Sequence, residues 1–348
     1  IFQLSGFYYQ GSNGVSVSSS IREMPSEPMR ETRKQAADTS PKASLRRTQL
    51  SPFEIPQGKA KALPSIRISE EENKGIDRKI YGGDGDKAHL GGFTEIDLHG
   101  ISPAVWTYMV EYFGVKSLLD LGCGRGISTS WFYFHGVDVT CAEGSHDAVE
   151  KNILPNKDKA VVEHDFSRGP WWPERTVDAL WCVEFTEHVE RNFIVNYLPA
   201  MRKAAYIFVS HSHWGGWHHV EVHDSAWWIT KWESLGFKYS DDLTQKVKSI
   251  ATKESRDKIL APNGKTYIAQ HLYTTLQVFI NPAVASLPEH AHLLAEHGCF
   301  VKRVEKDLIK KDCGDESALP ESFKPLQLTD KMYQDWFDLV KSNVKPAD

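Results

Sequence analysis

The 348-residue chain has room for one large domain or two modest ones, and its apolar (41%) and charged (25%) fractions are those of a globular protein. With 46 acidic against 41 basic residues its formal charge is -5, which gives no general electrostatic reason to bind nucleic acid. No uninterrupted apolar run approaches the roughly 20 residues of a membrane-spanning helix; the chain starts at Ile1, which leaves open an anchor upstream as its one route to a membrane.

Residues 1–75 are poor in large apolar side chains after Tyr9 and rich in Ser, Pro, Lys, Arg and Glu. Such a segment buries too little surface to offset its ordering entropy and is expected to be disordered or stalk-like. Its aromatic start (Phe2, Phe7, Tyr8, Tyr9) suits either the tail of an anchor or docking on the domain. The domain is expected over residues 76–281. Gly82, Gly83, Gly91 and Gly92 punctuate a loop that also holds His89, Thr94, Asp97 and His99, and Pro103 opens a helix through Phe113. Residues 80–115 thus read either as an ordinary entry loop and helix or as a glycine-hinged lid.

The stretch Leu118–Ser128, LLDLGCGRGIS, is a buried-strand pattern that ends in an acid and three alternating glycines, with a helix-compatible Thr129–Phe134 behind it. Strand, glycine turn and helix present bare backbone and a positive helix end to a ligand lying across strand tips. A dinucleotide fingerprint would carry its third glycine where Ile127 stands. G-x-G-x-G preceded by Asp120 suits a ligand with an ammonium or hydroxyl near the turn. The stretch resembles the first motif of the class I S-adenosylmethionine (SAM) methyltransferases. That resemblance implies an α/β fold, a Rossmann-like doubly wound seven-stranded sheet, with SAM held at Asp120, Gly122, Cys123, Gly124 and Gly126.

Val137–Ala142 reads as the second strand, tipped by Glu143 and Gly144, and an acid there can accept both ribose hydroxyls of an adenosyl group. Ala160–His164 reads as the third, tipped by Asp165 and Phe166; in the family such an acid meets the adenine amino group and its neighbour's backbone a ring nitrogen. Val177–Val183 and Ala204–Val209 are continuous apolar runs, hence central parallel strands. Helices are expected around 192–203 and over Trp227–Leu235, the latter closed by Gly236. Phe237–Ser240 and Tyr273–Ile280 supply the last two strands, the seventh antiparallel as in the family, with 241–270 an insertion. Residues 282–348 form a helical extension whose clearest element is capped by Thr329, with Met332, Trp336, Phe337 and Val340 on one face.

Of the five cysteines, Cys123, Cys141 and Cys182 fall in or beside strands and read as buried thiols, while Cys299 and Cys313 could pair or stay free. No N-x-S/T sequon occurs, which weighs against a glycosylated lumenal protein, so cytoplasm and secretory pathway both fit.

After the fourth strand comes EFTEHVE. If helical, Glu184, Glu187 and His188 share one face at the carboxyl edge of the sheet, three parts of a divalent-ion site. The loop after strand five, HSHWGGWHHVEVHD, adds His211, His213, His218, His219, His223 and Asp224. Glu-x-x-Glu-His with a later His resembles the metal-dependent O-methyltransferases of small-RNA 3′ ends and of the ubiquinone pathway. In the former a distal His precedes a helix ending Leu-Gly, which carries the fourth ligand here onto His219, ahead of Leu235-Gly236. The resemblance implies a metal that polarises an acceptor hydroxyl, with His218 or His223 taking the proton. Without a metal, the acids would cap helices or line the pocket. Trp214, Trp217, Trp227 and Trp228 suit stacking on sugar rings, and the WHHV arrangement is similar to that of methyltransferase-domain proteins linked to glycan modification. The expected activity is thus O-methylation of a sugar, glycan or small hydroxylated metabolite, with Glu184, His188, His218 and His219 arranging the acceptor. An NAD(P)-linked oxidoreductase and a non-catalytic interaction protein on the same scaffold are the alternatives.

Overall fold

The computed structural model describes residues 54–74, 85–90, 95–293, 299–304, 307–313 and 321–346, the segments at 299–313 as backbone. All fall within one compact unit, residues 49–348. The expectations for residues 1–53 and for Gly82, Gly83, Gly91, Gly92 and Thr94 lie outside the described residues.

Seven strands form one sheet: β1 (Ser117–Leu121), β2 (Asp138–Glu143), β3 (Val161–Glu163), β4 (Val177–Cys182), β5 (Ala204–Val209), β6 (Lys238–Tyr239) and β7 (Gln277–Ile280). Their order is β3-β2-β1-β4-β5-β7-β6. The first five run parallel, and β7 lies antiparallel between β5 and β6. This is the expected α/β sheet. β4 and β5 are buried at every position, as strands covered on both faces are, and the one charged residue in them, Asp178, is held by His290 Nδ1 (2.7 Å) and the Lys116 N–H (2.8 Å).

The helices in chain order are α1 (Glu70–Asn73), α2 (Pro103–Glu111), α3 (Ile127–Phe134), α4 (His146–Glu150), α5 (Lys157–Ala160), α6 (Ile194–Met201), α7 (Ser225–Ser234), α8 (Asp241–Asp257), α9 (Gln270–Thr275), α10 (Pro282–Ala285) and α11 (Asp330–Asn343). One core layer packs Trp106 and Met109 of α2, Trp131 of α3, Val247 and Ala251 of α8 and Trp336 of α11 against the sheet. The other buries Tyr197 of α6 and Trp228 and Trp232 of α7. The expected insertion at 241–270 is thus largely α8, an amphipathic helix whose apolar stripe completes the first layer. Thr329 caps α11 through the Met332 N–H, and the fully buried Trp336 donates its indole N–H to the Ile127 carbonyl at the start of α3 (3.1 Å).

Three expectations need correction. Residues 54–69 do not hang free: the Leu63 N–H donates to His164 Nδ1 (2.9 Å), the Asp165 N–H to the Leu63 carbonyl (3.0 Å) and the Ala60 N–H to the Trp172 carbonyl (3.2 Å). A strap held by backbone hydrogen bonds and small side chains such as Ala60 and Ala62 needs few large apolar residues, so composition misreads it. The extension is not wholly helical, because β8 (Cys299–Val304) and β9 (Asp307–Cys313) form a hairpin in which Cys299 stands opposite Cys313. Cys123 and Cys141 are joined by a disulfide rather than standing as free thiols. The turn after β1 folds back over β2, with the Gly122 N–H on the Ala142 carbonyl (2.9 Å), and this brings the two sulfurs together. Cys182 is buried and free. No helix among the described residues is long and apolar enough to cross a membrane.

Candidate functional site

The parallel strands end on one edge, and a cavity of about 550 Å³ opens there. Its size suits a nucleoside-sized ligand with room for a second molecule. Asp120, Glu143 and Asp165, from three adjacent strand ends, all line it, with Gly122, Cys123, Gly124, Gly144 and Phe166. Gly126 caps α3 just behind them.

Gly122 must be glycine twice over: its φ is +76°, and a Cβ would lie 2.6 Å from the Phe185 ring. Glu143 orders the turn, its two oxygens accepting the backbone N–H groups of Gly124 and Ser145 (both 2.8 Å). Burial nevertheless pushes its carboxyl up to about 7. Asp120 takes the hydroxyls of Ser128 (2.6 Å) and Thr129 (2.7 Å), and burial raises it to about 6. Asp165 differs. Burial is the largest influence and pushes its carboxyl up, yet hydrogen bonds from His89 Nε2 (3.1 Å) and the Ser167 N–H (2.8 Å) to its Oδ1 bring the net position below the usual range. Its Oδ2 is buried with no hydrogen-bond partner. His89 therefore belongs to the site, and the segment around it covers the crevice, Leu90 standing where a side chain on Gly144 would go.

The EFTEHVE segment is not a helix. Only Thr186–His188 form a 3₁₀ turn, and Glu184 sits in the left-handed region at φ +53°. The expected shared face of Glu184, Glu187 and His188 is therefore broken. Glu184 turns toward β5, its N–H donating to Ser210 Oγ and its Oε1 accepting from the same hydroxyl (both 2.8 Å). Glu187, His188 and His219 do converge, each offering a ligand atom within 4.8 Å of the others, and Glu184 is outside that group.

The donor set fits a divalent ion. Both Glu187 oxygens and His188 Nδ1 are buried without hydrogen-bond partners. Burial, with the Glu184 carboxylate adding to it, holds the Glu187 carboxyl well above its usual range. Burial and the neighbouring His219 and His218 push His188 down to about 4, so it is a neutral imidazole at pH 7. His219 donates from Nδ1 to the Trp214 carbonyl (2.8 Å), which leaves Nε2 for a ligand, the usual outer support of a metal-bound imidazole. One carboxylate and two imidazoles are a set that zinc and other borderline ions accept with coordination positions to spare.

His218, at φ +49°, lines the cavity and donates from Nδ1 to the His188 carbonyl (3.2 Å). His223 is turned away, stacked on Trp227 and paired with Glu221 (2.8 Å). Trp214 and Trp217 line the mouth, whereas Trp228 is core and Asp224 caps α7. His271 of α9, absent from the motifs of the sequence, also faces the cavity. No spacing rule links it to the fourth strand, and only the return of β7 brings it there.

The chain matches the model of a family described as a methyltransferase domain, over residues 103–303. No protein of curated function matches it. Among solved structures, it is similar to a SAM-dependent methyltransferase of Archaeoglobus fulgidus, with 16% identity over 51% of this chain and 89% of that one, at a TM-score of 0.31. The methyltransferase domain of a bacterial Hen1, CtHen1, is 16% identical over 48% of this chain and 90% of that one, at 0.30. A Pyrococcus horikoshii chain described as a putative RNA methyltransferase is 17% identical over 39% of this chain at 0.29, and this chain spans 66% of its length.

Proposed function

Because the chain belongs to the methyltransferase-domain family, as a class I SAM-dependent methyltransferase, we propose that its pocket passes the sulfonium methyl group to a hydroxyl oxygen of a sugar, glycan or small hydroxylated metabolite. The observation that carries this reading is one cavity lined on one side by three acidic strand tips and on the other by His188 and His219, which converge with the buried Glu187 behind the wall. Glu143 would accept the ribose hydroxyls, Asp165 Oδ2 the adenine amino group, and Asp120 and the glycine turn the amino-acid end. The exposed Trp214 (55%) offers an indole face at the mouth on which a sugar ring can stack.

Glu187, His188 and His219 would hold a divalent ion, which when bound polarises an acceptor hydroxyl and lowers its pKa. His218 keeps the His188 backbone in place from the other side of the loop. Direct in-line transfer needs only that oxygen and sulfonium be held in line, and a walled cavity supplies that.

The test is incubation with SAM labelled in its methyl group and a panel of glycosides, polyols, phenols and amines, in chelated and in manganese- or zinc-supplemented buffer. Label in an ether is expected, at a higher rate with the metal. Label confined to amines, or none, would overturn the oxygen assignment, and equal rates after exhaustive chelation would remove the ion.

A further inference from the structure

We propose that His271, oriented by Glu184, is the general base that takes the acceptor's proton, through its Nε2. This rests on the methyl-transfer reading of the pocket and on residues outside the Glu187, His188 and His219 group, of which Glu184 also bears on Glu187.

The topology explains why a residue so late in the chain can serve. β7 runs opposite to its neighbours, with Gln277 at its start facing Val209 at the end of β5. The segment leading into β7 therefore lies at the same edge as the glycine turn. α9 is pinned there. The N–H groups of Ile268 (3.0 Å) and Ala269 (2.9 Å) donate to the Leu98 carbonyl, the His271 N–H donates to the His99 carbonyl (3.1 Å), and His99 Nδ1 meets Gln270 Oε1 (3.0 Å).

Two left-handed non-glycine residues flank the pair, Glu184 at φ +53° and Ala269 at φ +51°. Such conformations persist where the surroundings over-determine them, and gather at functional sites. Ser210 fixes one Glu184 oxygen. The other stands 3.5 Å from His271 Nδ1, and His271 Nε2 is 4.0 Å from Asp97 Oδ2. The groups facing the ring are thus Glu184 from the end of β4 and Asp97 and His99 from the loop before α2, the His99 ring at 5.4 Å. Glu184 Oε2 stands nearest Nδ1, which leaves Nε2 as the ring nitrogen to take a proton. Asp97, Glu184 and His271 all line the cavity, and His271 keeps 28% of its side chain exposed, enough for a proton to leave afterwards.

In the step, a lone pair on the acceptor oxygen forms the C–O bond as the C–S bond breaks, the electron pair going to sulfur to give S-adenosylhomocysteine. The O–H proton passes to His271 Nε2, so the positive charge of the sulfonium is replaced by that of the imidazolium, and solvent then removes the proton.

The test combines calorimetry with S-adenosylhomocysteine, ¹⁵N-histidine NMR of that complex and the labelled-methyl assay. In the wild-type complex His271 is expected as the Nδ1–H tautomer, and Glu184→Ala should bring in the Nε2–H tautomer as well. His271→Gln should keep S-adenosylhomocysteine affinity within about twofold while the label transferred falls at least about a hundredfold. An Nε2–H tautomer in the wild type, a tautomer balance unmoved by Glu184→Ala, or an affinity loss in His271→Gln that accounts for the whole loss of transfer would overturn the proposal. Failure of the wild type to bind S-adenosylhomocysteine would instead count against the methyl-transfer reading itself.

Discussion

The half of the pocket proposed for the cofactor stands on regular structure and the half proposed for the acceptor on departures from it. Asp120 and Glu143 lie in β1 and β2, and Asp165 follows the end of β3 closely; the only left-handed residues of the turn between them are glycines. Across the cavity, Glu184, His218 and Ala269 all take positive φ without being glycine, and the side chains are imidazoles and indoles on loops. A ligand shared by a whole family can be held by the generic edge of a parallel sheet, since every such sheet presents its strand tips alike. An individual acceptor needs side chains placed one by one, and the backbone strain is concentrated where that placement happens.

The comparison can be broken from the cofactor side. Trp336→Ala removes a fully buried indole that supports the first residue of α3. It should cost about 3–5 kcal/mol in denaturant unfolding, and weaken cofactor binding only as far as the turn loosens. Glu143→Ala removes the acceptor of two backbone N–H groups and, in the proposed site, of the ribose hydroxyls. Calorimetry should show S-adenosylhomocysteine affinity down by about a hundredfold or more.

A pH series sharpens the same point. Glu143 at about 7 and Asp120 at about 6 keep their protons in the free protein longer than an unfolded chain would. Their contribution to stability is complete below the ordinary carboxylate range and lost as pH rises through 6 and then 7. His188 at about 4 and His211 at about 3 act in the opposite sense, so the readout is the difference between wild type and Glu143→Gln, which should shrink from pH 4.5 to 7. Hydroxyl donors of the ligand require the ionised carboxylate. S-adenosylhomocysteine affinity should therefore rise with pH, by up to about tenfold per unit for each group, and level off above 7. The smallest effect belongs to the other half: His219→Ala should leave S-adenosylhomocysteine affinity within about twofold and abolish manganese or zinc binding by calorimetry.

The same division governs what the sequence reveals. The acid, the glycine turn and two further acids at strand tips follow from local patterns, because each sits beside the strand that positions it. The seven strands were legible for the same reason, though the stretch expected to begin the seventh at Tyr273 is shared between α9 and β7. Glu184 escapes the helical spacing of EFTEHVE because the chain leaves β4 through a left-handed residue. His271 had no local signature, since its place depends on an antiparallel strand returning to the edge. The Cys123–Cys141 disulfide needed the register of β1 on β2, and the strap at 54–69 needed backbone hydrogen bonds that composition does not register.

The most direct measurement is a crystal structure of the protein with S-adenosylhomocysteine. The ligand should lie across the ends of β1, β2 and β3, with its ribose hydroxyls on Glu143, its adenine amino group on Asp165 Oδ2 and its sulfur turned toward Glu184 and His271. A ligand bound elsewhere, or one whose sulfur faces away from Glu184 and His271, would contradict the division of the pocket on which the account depends.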